Sequence, residues 1–235
     1  MLPILRIVGE DVLFTHWRVK PERLKSTLPA PLTVDTYDGS GWVTVLAHEV
    51  TEAGLDAIPV SPFSGFGEVD LRTYVTFNQD QGVFFFSCNT GQELNALLGE
   101  QVFGLPHRRA SVSFNRRGEE IVVRCRQTGS GSAGRFDVKY QPTGTPSPAE
   151  PGSLMEFLAE RHTYFSPTDP EKERPGSFIV GSIERDPWQL SDVNTDIRTN
   201  TMFDRLPTEL PSKPSEAHYS PRFESRFVGR ETVKI

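Results

Sequence analysis

The chain has 235 residues, 36% of them hydrophobic and 24% charged, and its 31 acidic residues outnumber 25 basic ones for a net charge of −6. That is enough sequence for one large β domain with its own core, and no apolar run reaches the roughly 18 residues that a bilayer-spanning helix needs. A chain that repels phosphate overall is a poor partner for nucleic acid. Its two cysteines, Cys88 and Cys125, are too few for a disulfide framework or a four-thiolate zinc site.

With 19 glycines and 19 prolines, the composition favours strands joined by turns over long helices. The N-terminus lacks a basic region followed by an apolar stretch, so no secretory leader and no membrane contact are expected, and the predicted setting is cytoplasmic. In chain order, residues 10–19 have the β-branched and aromatic content of a strand. Pro21 opens a short helix that Pro29-Ala30-Pro31 stops. Leu32–Tyr37 alternates with period two, Asp38-Gly39 is a turn, and the strand beginning at Trp42 is predicted to fold back on it as a hairpin.

Residues 53–67 read as a loop. Between Glu68 and Phe77 the odd positions Val69, Leu71, Thr73, Val75 and Phe77 share one side, and Glu68, Asp70, Arg72, Tyr74 and Thr76 share the other. Val83–Cys88 is a continuous apolar run suited to a strand buried on both faces. Gln92–Phe103 has helical spacing. Ala110–Phe114 and Ile121–Arg126 are strands around an Arg116-Arg117-Gly118 turn, and Arg135–Tyr140 pairs back across a Gly/Ser turn at 129–134. Residues 142–151 read as a loop, and 153–162 as a helix with a capping box at Ser153 and Glu156. Phe178–Glu184 is a strand. The whole chain, 1–235, reads as a single domain, with a Pro-rich stretch at about 206–221 wrapping the surface.

The common catalytic motifs are missing. Gly129-Ser-Gly-Ser-Ala-Gly134 matches a dinucleotide glycine pattern by letter but lies between two strands instead of opening a helix, so it reads as a hairpin turn. The five histidines, His16, His48, His107, His162 and His218, lie far apart, and their spacing asks for no metal. Two constellations remain. Glu68, Asp70 and Arg72 form either a polar floor, if that face points inward, or a charged ladder in solvent; alternation alone slightly favours the ladder. His107, Arg108 and Arg109 follow a Gly-x-Pro turn, where clustered cations suit carboxylate or phosphate groups.

These stretches carry a resemblance. Gly99-Glu-Gln-Val-Phe-Gly-Leu-Pro-His-Arg-Arg-Ala110 is similar to the Gly-x-Pro-Lys-Lys segment of acetoacetate decarboxylases, and Val19-Lys-Pro-Glu-Arg-Leu24 with Leu28-Pro-Ala-Pro-Leu32 is similar to a second segment. Closer still, Phe14-Thr-His-Trp-Arg18, Leu71-Arg-Thr-Tyr-Val75, Val83-Phe-Phe-Phe-Ser87, Glu160-Arg161 and Asp186-Pro-Trp-x-Leu190 resemble the DUF2071, or YqjF-like, proteins. The resemblance runs in order from about residue 12 to about 220. It implies a mainly β, acetoacetate decarboxylase-like fold: strongly bent antiparallel sheets forming a cone-shaped barrel with a few short helices, around a small-molecule cavity.

The activity transfers less readily. A Schiff-base decarboxylase needs a lysine amine, and the matching positions here are His107 and Arg108. Imidazole forms no stable imine, and guanidinium stays protonated. The family's acidic residue is matched by Glu68. The resemblance therefore implies a protein that binds a small anionic or carbonyl-containing molecule, with Glu68 and His107 as candidate catalytic residues. Arg72, Arg108, Arg109, His16 and Arg18 are its candidate ligand-binding residues. Any chemistry would be acid–base or lyase-like, with no cofactor and no metal. The alternative is a structural or interaction module whose barrel is filled by side chains, and a homo-oligomer is compatible with either.

Overall fold

The computed structural model describes residues 4–56, 64–91, 104–128, 134–168, 177–204 and 206–234. Among these are twelve strands: β1 (Leu5–Val19), β2 (Thr33–Val34), β3 (Gly41–Leu55), β4 (Phe66–Phe77), β5 (Asp80–Thr90), β6 (His107–Arg117), β7 (Glu120–Gln127), β8 (Arg135–Ser147), β9 (Thr163–Pro167), β10 (Ser177–Glu184), β11 (Leu190–Asn200) and β12 (Glu216–Lys234). Two short helices accompany them, α1 (Pro21–Lys25) and α2 (Leu154–Ala159). None of the described helices is long and apolar enough to cross a membrane.

The strands β12-β1-β3-β4-β5 pair side by side, all antiparallel, and form a wall. Each end strand of this wall then divides. On β5, Val83 and Phe84 pair in parallel with β9, while Cys88, Asn89 and Thr90 pair in parallel with β6. On β12, His218 and Tyr219 meet β11, while Arg226–Lys234 pairs with β10. Two closed circuits of strands therefore share one wall. One is completed by β6-β7-β8-β11 and the other by β9-β10.

The shared wall must bury both of its faces, which explains why β4 is buried at every position from Phe66 to Val75. Its alternation sends Val69 and Leu71 into the first circuit. There they pack with Val43, Val45 and Ala47 of β3, Ile121, Val123 and Cys125 of β7, and Phe136, Val138 and Tyr140 of β8. That interior is filled by side chains. Met202, Phe203 and Leu206 join the same core, and the Trp17 indole N–H donates to the Pro211 carbonyl at 2.9 Å, so the Pro-rich stretch packs against that circuit. The second circuit holds Trp42, Tyr74, Val83, Phe85, Tyr164, Ile183 and Phe227, with α2 contributing Leu158.

Several expectations are corrected. The Asp38-Gly39 turn forms, closed by a Tyr37–Ser40 bridge, but Thr33 and Val34 pair with Thr76 and Val75 of β4 and not with β3. Both edges of β3 are already taken by β1 and β4, so no hairpin partner is left. The stretch read as a loop from 142 continues as strand to Ser147, where Pro142 and Thr143 lie opposite Val193 and Asp192 of β11. The capped helix ends at Ala159, short of 162, with the Ser153 hydroxyl accepting from the Glu156 N–H at 3.1 Å. The helix expected over 92–103 lies outside the described residues.

Candidate functional site

Directly opposed residues in neighbouring strands point to the same face. That rule, applied to the observed register, assembles the site. His48 of β3 lies opposite Glu68 of β4, which lies opposite Thr90 of β5. Two residues along, Leu46 lies opposite Asp70, then Cys88, then His107 of β6. A third row sets His16 of β1 against Thr44 and Thr44 against Arg72. The polar face of β4 is thus turned inward, and the solvent ladder that alternation slightly favoured does not form. Alternation reveals which residues share a face; the second layer of structure over that face comes from strands remote in sequence.

Glu68 stands between two imidazoles. Its Oε1 is 3.8 Å from His48 Nε2 and its Oε2 is 3.7 Å from His107 Nε2. Burial raises the Glu68 carboxyl, but the contact with His107 and the electrostatic pull of the two neighbouring imidazoles outweigh it and hold the group below the ordinary carboxylate value. Burial pushes the His48 imidazole down, with Glu68 pulling the other way. Asp70 behaves oppositely: burial and the nearby Glu68 charge push its carboxyl well up, against weaker pulls from Arg72 and the Cys88 thiol.

A cavity of about 60 Å³ opens onto this face. Its wall carries His48, Glu68, Asp70, Arg72, Arg161 and Arg185, with an apolar remainder that includes Phe85, Ile183, Trp188 and Phe223. The three arginines differ in one decisive respect. Arg161 binds Asp35 through Nη1 at 2.8 Å and donates from Nε to the Phe157 carbonyl. Arg185 binds Glu160 at 2.8 Å, donates to the Ala159 carbonyl and stacks over Trp188; burial lowers its pKa to about 10, with Glu160 opposing. Arg72 is 6% exposed, and its Nε and Nη2 have no hydrogen-bond partner. Asp70 Oδ1, His48 Nδ1 and His107 Nδ1 are likewise buried without partners.

Among the residues expected at the site, Glu68 and Arg72 line the cavity, and His107 reaches the Glu68 carboxylate from outside its wall. His16 is buried beside them and not in the cavity wall: its Nδ1 is 2.8 Å from the Thr44 hydroxyl, which is 2.7 Å from the Tyr74 hydroxyl. Arg18 is not brought to the cavity. It is exposed, lies over Trp42, and lines a separate open groove with Lys20 and Arg23. Arg108 and Arg109 are also outside the cavity wall, because they follow His107 along β6 toward the partly exposed part of that strand. His48, Asp70, Arg161 and Arg185 were not among the predicted site residues. The period-two pattern already paired Asp70 with Glu68, but nothing local marks Arg161 or Arg185. No three metal-ligating side chains among the described residues are placed to share an ion.

The model of a family described as an uncharacterized conserved protein, DUF2071, matches residues 9–224. The chain belongs to the DUF2071 family. It is 30% identical over 225 residues to the uncharacterized protein YqjF of Bacillus subtilis (strain 168), covering 95% of this chain and 90% of that one. Its fold is similar to that of an acetoacetate decarboxylase-like enzyme from Sphingomonas wittichii RW1, with a TM-score of 0.64 and 17% identity over 98% of this chain and 93% of the other. The enduracididine biosynthesis enzyme MppR is similar in fold too, with a TM-score of 0.65 and 14% identity over 99% and 91% of the two chains. This DUF2071 protein therefore has the mainly β, acetoacetate decarboxylase-like architecture, realised as strand circuits closed around two interiors.

Proposed function

We propose that the cavity binds a small anionic molecule bearing a carbonyl group. Arg72 receives its anionic end, and Glu68, flanked by His48 and His107, is placed for proton transfer. The observation that carries this reading is the pair of vacant donors on Arg72. Two donors of a buried guanidinium left without acceptors are costly, and a ligand carboxylate would satisfy both in a bidentate arrangement. Arg161 and Arg185 already have carboxylate partners, which leaves Arg72 as the cation of the cavity wall with donors to offer. A space of about 60 Å³ suits only a few heavy atoms, on the order of four water-sized groups. MppR, similar in fold, has been crystallised with pyruvate, a ligand of this class.

Catalysis through an imine is not part of this reading. The position matched to the family's lysine is His107, and no described lysine lines the cavity. An acid–base step on a carbonyl compound needs only the groups present: a carboxylate to take a proton and donors to hold the oxygen. The side-chain-filled alternative is favoured for the first circuit, whose interior is packed with apolar side chains, and leaves the cavity of the second to the ligand.

Thermal unfolding in the presence of pyruvate and other short keto acids tests the proposal. A ligand specific to the folded state raises the melting temperature in proportion to the logarithm of its concentration. The shift is expected in the parent protein and absent in Arg72→Met. Borohydride added with pyruvate should leave the protein mass unchanged. No stabilisation by any keto acid, or a reductively trapped lysine adduct, would overturn the reading.

A further inference from the structure

Glu68 and Asp70 are two carboxyl groups on one buried face, two residues apart, 8% and 4% exposed. They are not equivalently served. Glu68 has an imidazole within 4 Å of each oxygen. Asp70 has no ion-pair partner among the described residues: its Oδ1 is buried without a hydrogen bond, and the Cys88 thiol beside it is a weak partner. Arg72, the next residue on that face, keeps two donors vacant instead of closing on it. The titratable and charged groups around Asp70 include Glu68 and Arg72 from β4, Cys88 from β5 and Cys125 from β7, with apolar Leu46 opposite on β3.

Two like charges this close in a buried site are costly to hold together, and Glu68 has an imidazole beside each oxygen where Asp70 has none. The proton belongs on the carboxyl with the poorer surroundings. We infer that Asp70 is a neutral carboxylic acid in the folded protein at neutral pH and donates a hydrogen bond to the carbonyl oxygen of the ligand whose anionic end Arg72 holds. This rests on the proposed ligand reading for its second half only. Neighbouring carboxyl groups with environments that drive their acidities apart are a recurrent way of placing a base and an acid in one pocket. Here Glu68 is the base and Asp70 the donor. Asp70 keeps its proton throughout. Its hydrogen bond strengthens as negative charge develops on the carbonyl oxygen, which is electrostatic stabilisation without a transfer to balance. It also defines the ligand further: beside the anionic group there must be an acceptor oxygen that reaches Asp70, with an apolar remainder against Ile183, Trp188 and Phe223.

The protonation state is tested on ligand-free protein. The infrared difference between the parent and Asp70→Asn at neutral pH should contain the carbonyl stretch of a neutral carboxylic acid. Asp70→Asn, which replaces a neutral acid by a neutral amide and removes the cost of keeping a proton there, should be at least as stable as the parent at neutral pH. A carboxylate band in that difference, or a marked stability loss in Asp70→Asn at neutral pH, would overturn the inference.

The donor role is tested with pyruvate against propionate, which lacks the carbonyl. Asp70→Asn retains a donor and should keep the preference for pyruvate. Asp70→Leu should weaken pyruvate about tenfold and leave propionate unchanged, one hydrogen bond's worth. Equal weakening of both ligands would overturn the donor role. If the parent binds neither ligand while the infrared result stands, the ligand reading falls and the neutral Asp70 survives.

Discussion

At the scale of single residues, the cavity wall is unusual for what it leaves unpaired. Replacing Arg72 by Met removes a buried cation with two vacant donors, so stability should hold or rise when measured by urea unfolding, even as pyruvate stabilisation disappears. Loss of both together would instead mark Arg72 as a structural residue. His16 gives the opposite test. Burial holds its imidazole well below 6.5, with His218 and Arg72 nearby adding to the effect. The unfolded chain takes up the proton first. The stabilisation from the neutral ring is therefore present above about 6.5 and lost as pH falls toward the folded value, by at most ~1.4 kcal/mol per pH unit. His16→Gln should show a shallower decline in unfolding free energy from neutral pH downward. Asp70 has the reverse sign: its raised carboxyl contributes fully below the unfolded value of 3.8 and loses that contribution as pH rises. Asp70→Asn should flatten that loss from about pH 3.8 upward.

At the scale of elements, the division of β5 between β9 and β6 creates the second circuit. Gly82 sits at that division: a Cβ there would stand 2.4 Å from the Thr163 backbone carbonyl oxygen. Backbone cannot swing aside as a side chain can, so Gly82→Ala should push β9 away and cost about 1–3 kcal/mol in chemical denaturation. Full parental stability would show that β9 docks more loosely than the pairing implies. The N-cap of α2 is a milder case. Ser153→Ala should cost about 1 kcal/mol, since the hydroxyl satisfies the Glu156 N–H. That cap was legible in the sequence, because capping is chemistry between residues three apart. The β6–β7 hairpin and the pleat of β4 were legible for the same local reason. The partner of β2 was not. Alternation from Leu32 suggested a strand, and a turn suggested its neighbour, but availability of an edge on β3 depends on β1 and β4.

At the scale of the molecule, one interior is packed with apolar side chains and the other holds a cavity, so fold stability and ligand binding should separate. Phe136 is fully buried in the first circuit, and Phe136→Ala should cost about 3–5 kcal/mol while pyruvate still stabilises the remaining folded protein. If that substitution abolished the ligand shift at temperatures where the chain is folded, the two interiors would be coupled. The amino-acid sequence by itself determined the β-rich class, the family, and the face shared by Glu68, Asp70 and Arg72. Those follow from spacing and residue chemistry, which act over a few positions. Only the tertiary structure decided that this charged face is buried. It also brought His48 and His107 to either side of Glu68, gave Arg161 and Arg185 carboxylate partners but Arg72 none, and left Arg18, Arg108 and Arg109 outside the cavity wall. Those outcomes depend on which distant strands close over the wall, and burial, unlike alternation, is a property of both sides of a contact.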